Sequence, residues 1–311
     1  MDYISLLQKE MRPAFGCTEP IALAYAAAKA VSVLDEFPNH IYARCSANII
    51  KNVKSVVIPN SGGRKGLAAA AVLGAIVGHP ERELEVLESA TDEDRKWLGM
   101  LLDSSFCTVE LAEGVDNLYI EITATTDEHT VVVRIENAHT NITYVSVDGE
   151  VLSETINEIK EAESSTCPMT FDSIYEFAKA GDISGILPSI KQQVEYNTAI
   201  SNEGLSNDYG ANIGQLLLLD DENPSLETKC KARAAAGSDA RMSGCPLPVV
   251  ICSGSGNQGL TVSMPIITGA EELGKSDDDL YRALVFANLL TLYVKSGIGK
   301  LSAYCGVVSA G

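Results

Sequence analysis

The sequence lacks the features that mark membrane proteins and nucleic-acid-binding proteins. No apolar run reaches the roughly 18 residues of a membrane-spanning helix, and the N-terminus shows no basic region followed by an apolar core and a cleavage site. Basic residues are scarce, since 23 Lys and Arg stand against 42 Asp and Glu, which gives a net charge of −19. Nucleic acids and anionic membranes bind basic surfaces. We therefore expect a cytoplasmic protein with neither nucleic-acid nor membrane partners.

Paired cysteines of the CxxC type are also absent, which removes the commonest pattern of zinc sites. The eight cysteines are spread singly over the chain, at positions 17, 45, 107, 167, 230, 245, 252 and 305. Because a reducing compartment keeps thiols reduced, we expect free thiols or metal ligands in place of disulfides. We interpret those at 45, 107, 167 and 230 as structural, while those at 245 and 252 leave a metal-binding or redox role open.

The order of local patterns predicts an α+β fold, with about two domains for 311 residues. Alternating β-branched residues between 106 and 152 predict strands, whereas most of the chain beyond them has helical character. We therefore expect a mostly helical domain at 153–311 and an inserted α+β domain at 45–152. The N-terminal helices, at 1–44, should pack back on the helical domain.

A glycine-rich stretch near residue 255 is the strongest candidate binding loop. It has almost no apolar side chain to bury, and ordering its glycines costs backbone entropy, so filling a core does not explain it. The apolar residues 260–270 predict a helix whose N-terminus favours a substrate carboxylate. The substrate-binding residues predicted here are Ser253, Gly254, Ser255, Gly256, Asn257 and Gln258. The alternative is a tight turn that lets two helices pack closely.

A second candidate anion site follows a predicted strand at 46–58. A glycine-containing turn and two cations precede a predicted helix of small residues at 67–77. The substrate-binding residues predicted here are Ser61, Gly62, Gly63 and Arg64, with Lys65 beside them. The alternative is a plain strand-to-helix connection with solvated cations.

Cysteine 17 stands at a predicted helix start. Gly16 makes a turn before it, and either Cys17 or Thr18 takes the N-cap position of an alanine-rich helix over 21–34. A helix N-terminus stabilises a thiolate, so this cysteine is a candidate ligand. Cys305, taken by itself, is typical of an apolar helix.

Five motifs together point to one family. They are Gly16-Cys17-Thr18-Glu19-Pro20, Pro59-Asn60-Ser61-Gly62-Gly63-Arg64-Lys65-Gly66, Ser238-Asp239-Ala240-Arg241-Met242, Ser253-Gly254-Ser255-Gly256-Asn257-Gln258-Gly259 and Leu301-Ser302-Ala303-Tyr304-Cys305. With these motifs in this order, the chain resembles the L-cysteine desulfidase family, which is related to the iron–sulfur L-serine dehydratases. The resemblance extends over essentially the whole chain.

The resemblance implies an iron–sulfur lyase. It implies a 4Fe-4S cluster with one open iron, and β-elimination from L-cysteine to sulfide, ammonia and pyruvate without pyridoxal phosphate. Cys17 and Cys305 match cluster cysteines and would have to approach each other. The family's remaining cluster cysteine follows the last motif, so we expect this chain to stop before it and to hold a cluster weakly or not at all.

The sequence does not identify which group removes the Cα proton or which amino acid is the substrate. Lys65, Glu19 and Asp239 are the predicted candidates for the group that removes the Cα proton, and each would need a pKa shifted by burial. L-serine is the alternative substrate for the same chemistry. A non-catalytic amino-acid-binding protein is the alternative from another class. We expect a small amino acid as ligand and leave a homodimer open as the assembly.

Overall fold

The computed structural model describes residues 2–155, 169–219, 222–298 and 305–311. The chain divides into two units. We call residues 15–160 the sheet unit, and residues 1–14 together with 161–311 the helical unit. Helices and a mixed sheet confirm the predicted α+β class.

The helices and strands alternate at first and then become almost entirely helical. In chain order they are α1 (Tyr3–Glu10), β1 (Pro13–Phe15), α2 (Thr18–Leu34), β2 (His40–Cys45), α3 (Ala47–Val53), α4 (Gly66–Val77), a 3-10 helix (Pro80–Glu85), α5 (Asp92–Asp103), β3 (Cys107–Leu111), β4 (Tyr119–Thr125), β5 (Thr130–Glu136), β6 (Ile142–Val147), β7 (Glu150–Glu154), α6 (Phe171–Ala180), α7 (Leu187–Ser206), α8 (Ile213–Leu219), α9 (Leu226–Met242), β8 (Pro248–Val250), α10 (Gly256–Glu272), α11 (Asp277–Ser296) and α12 (Gly306–Ser309).

The sheet unit is built on a six-stranded sheet with the order β3-β2-β4-β5-β6-β7. Strands β2 and β3 run parallel, and the other neighbouring pairs are antiparallel. The alternation in β4 places Ile120, Ile122 and Ala124 on one face, where all three are fully buried. Helix α2 packs on β4 and β5, and α4 packs on α2. Apolar burial between the sheet and this helix pair is therefore the core of the unit.

The other face of β4 buries a charged group. The Glu121 carboxylate accepts hydrogen bonds from Arg134 Nη2 at 2.8 Å, Arg44 Nη1 at 2.8 Å and the Tyr119 hydroxyl at 2.8 Å. Burial raises the pKa of Glu121, but the bonds from Arg134 and Tyr119 outweigh it, and the net pKa lies below the usual value. A buried carboxylate is tolerated here because its oxygens are paired.

The helical unit is tied together by buried amides as well as by apolar contacts. Asn197 on α7 accepts a bond from the Val250 backbone N–H at 2.9 Å and donates to Ser263 Oγ on α10 at 2.8 Å. Gln193 on α7 and Asn288 on α11 exchange two bonds, of 3.2 and 2.9 Å. The Asn197 bonds hold β8 and α10 to α7, and the glycine-rich loop connects β8 to α10, whereas the Gln193–Asn288 pair joins α7 to α11.

Two local features differ from the sequence-based expectations. Residues 47–53 form helix α3 where a strand was predicted, because Ser46 caps the first turn and Ile49 and Val53 lie four residues apart on one buried face. Helix α2 belongs to the sheet unit, whereas the sequence suggested that residues 1–44 join the helical domain. Its small side chains pack against both the sheet and α4 within the sheet unit.

The close contact between α2 and α4 gives a test of this packing. A Cβ on Gly74 would overlap the backbone carbonyl of Ala24, so Gly74→Ala should destabilise the protein by about 1–3 kcal/mol through overpacking. Gly269→Ala on α10 is the matched control, because nothing lies within 4 Å of the added Cβ. It should be neutral, or stabilising by up to about 1 kcal/mol. Urea unfolding of both variants measures the difference; equal midpoints would contradict the packing.

Candidate functional site

The glycine-rich loop is a tight turn that starts helix α10. The backbone N–H of Cys252 donates to the Ser255 carbonyl at 3.1 Å, and the reverse bond is 3.2 Å. Ser253 and Gly254 are both left-handed, with φ of 50° and 77°, as this reversal requires. Ser255 Oγ accepts a bond from the Gln258 N–H at 3.3 Å, so α10 begins at Gly256, earlier than the predicted residue 260.

A buried arginine lies against the first turn of α10. Arg241 on α9 is 2% exposed, and its Nη1 donates to Asn257 Oδ1 at 2.9 Å. A Cβ on residue 256 would overlap Arg241 Nε and Cζ, so only glycine permits this approach. Among the described residues, Nε has no hydrogen-bond partner. The positive end of the α10 dipole and the guanidinium of Arg241, which comes from α9, therefore lie side by side at the first turn of α10.

On the same turn, Gln258 faces a cluster of thiols and a lysine. Gln258 is fully buried, and a Cβ on Gly306 would overlap its Oε1 and lie 2.9 Å from Lys295 Nζ. Burial lowers the pKa of Lys295, and the thiols of Cys305 and Cys252 offset part of that effect. Burial raises the pKa of the Cys252 thiol to about 12. At neutral pH this thiol is therefore protonated.

In the sheet unit, Cys17 takes the N-cap position of α2, as the sequence predicted. Its Sγ donates to Glu19 Oε2 at 3.2 Å, and Thr18 Oγ1 donates to the same oxygen at 3.1 Å. Asn52 Nδ2 donates to Glu19 Oε1 at 3.2 Å. Glu19 thus lies in the first turn of α2, where the dipole favours its charge. Its role as a base stays a prediction.

The turn before α4 is organised mainly by its own hydrogen bonds. Ser61 Oγ donates to the Arg64 carbonyl at 3.1 Å, and the Ile58 N–H donates to the same carbonyl at 2.9 Å. Gly62 and Gly63 have φ of 70° and 84°, so both glycines serve the turn. Arg64 and Lys65 are exposed, and Lys65 takes the N-cap position of α4 without a side-chain cap. This geometry suits a connection with solvated cations; substrate binding at these residues stays a prediction.

Asp239, another predicted base, has a structural partner. Its Oδ2 accepts a bond from the backbone N–H of Ile213 at 2.9 Å, which places it at the start of α8. A carboxylate in this position stabilises a helix N-terminus. A catalytic role for it stays a prediction.

The predicted cluster cysteines are divided between the two units. Cys17 belongs to the sheet unit and Cys305 to the helical unit, and their approach to each other stays a prediction. Within either unit, the described residues gather no group of three His, Cys, Asp or Glu side chains able to hold a metal ion. The described residues of either unit by itself therefore do not bring together the three thiolates that a cluster with one open iron requires. Cys167 lies outside the described residues.

Sequence reasoning did not single out two of these side chains. Arg241 was part of a motif but was not assigned to the site, since its partner Asn257 is 16 residues away. Lys295 is 5% exposed and follows an apolar stretch of α11. A lone lysine in such a stretch is a signal for burial that the sequence does contain.

The described helices include none with the length and apolarity to cross a membrane.

The fold and this site define an α+β protein with a buried cation at a helix N-terminus, and comparison with known proteins places it in a family. The serine dehydratase alpha chain family matches residues 81–311. Similar proteins include the UPF0597 protein of Finegoldia magna, 46% identical over 100% of this chain and 74% of the relative, and that of Lachnoclostridium phytofermentans, 45% identical over 99% and 74%. That of Treponema denticola is 39% identical over 99% and 73%. No solved structure matches.

The chain therefore belongs to the serine dehydratase alpha chain family. Membership makes it a serine dehydratase-like lyase. The relationship to the serine dehydratases that the motifs implied is confirmed at the level of the family.

The environments of the thiols predict their reactivity. Iodoacetamide at neutral pH should modify the exposed Cys305, whereas Cys45 and Cys252, both fully buried with pKa values of about 12, should stay unmodified. Mass spectrometry of peptides after native and denatured labelling distinguishes the exposed thiol from the buried ones; native labelling of Cys252 would contradict its burial.

Because burial raises the pKa of the Cys252 thiol, the contribution of this thiol to stability should be lost as pH rises above 9.0 towards 12. Urea unfolding across this pH range measures the loss.

Proposed function

We propose that the protein catalyses β-elimination on a small amino acid, with L-cysteine as the substrate and L-serine as the alternative. The family supports a serine dehydratase-like lyase, and the five motifs favour the desulfidase branch. The observation that carries the proposal is the turn over Ser253–Gly256 that starts α10. Its backbone N–H groups and dipole favour the carboxylate of an amino acid.

The reaction divides into proton removal and loss of the leaving group. A base takes the Cα proton, the Cβ–S bond breaks with its electron pair on sulfur, and an aminoacrylate remains. This product takes a proton at Cβ to become an imine, and one water hydrolyses the imine to pyruvate and ammonia. L-cysteine and one water thus yield hydrogen sulfide, ammonia and pyruvate. With L-serine, water leaves in place of hydrogen sulfide.

The helical unit supplies groups suited to holding such a substrate. The N-terminus of α10 is placed to stabilise the α-carboxylate, and the Asn257 amide has a donor to offer beside its contact with Arg241. Lys65, Glu19 and Asp239 stay the predicted bases. An iron–sulfur cluster is the cofactor that the resemblance implies, with Cys17 and Cys305 as its matched cysteines, and we expect this chain to hold it weakly or not at all.

Product analysis distinguishes the three candidate functions. The fraction of the protein that retains a cluster after anaerobic incubation with iron and sulfide, once freed of unbound sulfide, should release equal amounts of sulfide and pyruvate from L-cysteine, with a lower kcat/KM for L-serine. A broad visible absorption after incubation would report the cluster. Pyruvate from L-serine without sulfide from L-cysteine would indicate a serine dehydratase. Binding of either amino acid without product would indicate a non-catalytic binding protein and would contradict the lyase.

The carboxamide in the first turn of α10 gives a residue-level test. Asn257→Ala should lower the kcat/KM of the folded protein about tenfold, or about 1.4 kcal/mol of transition-state stabilisation, and some loss of stability accompanies it because Arg241 Nη1 loses its acceptor. The kinetic effect is expected because the Asn257 side chain faces Arg241 at the helix start and is half-buried, outside the apolar core. Asn207→Ala, at the exposed C-terminus of α7, is the matched control. Unchanged kinetics in folded Asn257→Ala protein would favour the interpretation as a packing turn.

A further inference from the structure

We propose that Arg241 is the residue that binds the substrate's α-carboxylate, a role that deepens the proposed function and rests on it. The charge of the buried Arg241 has no counter-charge among the described carboxylates. Arg241 is 2% exposed, yet none of the described carboxylates forms an ion pair with it. The more exposed Arg134 and Arg233 are paired, with Glu121 and Glu271. Burying a charge without an opposite one is costly, so an anion is missing from this position.

The donors of Arg241 are only partly used. A guanidinium has five N–H donors. Nη1 donates to Asn257 Oδ1 and approaches Met242 Sδ at 3.7 Å, while the buried Nε has no partner among the described residues. A buried donor of a charged group left unpaired is costly, since it has given up its hydration. A bound anion supplies the acceptors that the described residues do not.

The position of the guanidinium defines the anion site. It lies on the first turn of α10, where Gly256 leaves the space that the guanidinium occupies and that any side chain would fill. The positive end of the helix dipole and the guanidinium charge lie next to each other and repel. An anion bound at this point relieves the repulsion and gains from both charges. Two independent features, the helix start and the buried cation, therefore favour the same ligand.

A carboxylate fits the donors better than other anions. The planar fork of arginine matches a carboxylate in bidentate geometry. The Asn257 amide accepts from Arg241 through its oxygen, which leaves its nitrogen to donate to the same ligand. Among the substrates of a β-eliminating lyase, the shared anionic group is the α-carboxylate. Arg241 is thus a substrate-binding residue that distinguishes amino acids from analogues in which a neutral group replaces the carboxylate.

Binding of matched ligands tests this role apart from turnover. Isothermal titration calorimetry compares L-serine with L-serinamide, in which a neutral amide replaces the carboxylate. Wild-type protein should prefer L-serine at least tenfold, and Arg241→Gln should remove the preference by weakening L-serine alone. A purely structural role would weaken both ligands alike. Arg233→Lys, on the same helix α9 but paired with Glu271, is the control and should keep the preference.

A second variant keeps the test valid if Arg241→Gln does not fold. Asn257→Asp preserves the shape and places a carboxylate beside the guanidinium, so it should reduce the preference for L-serine by occupying the same donors. An unchanged preference in Arg241→Gln or in Asn257→Asp overturns the inference. Inorganic phosphate that displaces L-serine with equal affinity overturns it too, as does wild-type protein that does not bind L-serine.

The outcome also separates this inference from the proposed function. A preference for L-serine that depends on Arg241, in protein that releases no product, supports carboxylate binding and rejects the lyase. Continued turnover with an unchanged preference in Arg241→Gln supports the lyase and rejects the role of Arg241.

Discussion

The helical unit's candidate site depends on the close approach of Arg241 to the first turn of α10. That approach needs glycine at position 256, since a side chain there would occupy the space of the guanidinium. It also needs α9 and α10 to pack closely, which is helped by Gly237, where a Cβ would lie 3.0 Å from Leu260. The buried Asn197 amide holds β8 and α10 at the other end of the loop. Glycines in this unit therefore permit close helix packing and leave space for the guanidinium.

The two glycine-containing turns illustrate how similar sequences lead to different electrostatics. In the sheet unit, Arg64 and Lys65 are exposed, and water screens their charges. In the helical unit, the cation is buried against a helix start, where its field is stronger. A chain with a net charge of −19 can thus still carry a locally positive helix start, because a buried cation is screened less than the distant surface carboxylates.

The cysteines of this family member occupy distinct environments. Burial raises the pKa of Cys252 and keeps it a thiol, Cys305 is exposed, and Cys17 donates to a carboxylate at a helix start. Thiolate ligands need deprotonation, so the burial that raises the pKa of Cys252 opposes metal binding by this thiol. The Lys295 ammonium lowers the pKa of Cys252 and offsets part of the desolvation that raises it.

The sequence by itself determined the α+β class, the strands between 106 and 152, the start of α2 at Cys17 or Thr18, and the relationship to the serine dehydratases. These follow from local signals, since side-chain periodicity, caps and glycines act within a few residues. Only the tertiary structure decided that residues 47–53 form a helix, that α2 joins the sheet, that Asp239 caps α8 and that Arg241 lies unpaired by any described carboxylate beside Asn257. Burial and pairing join residues far apart in the chain, and the packing of whole helices and sheets sets them.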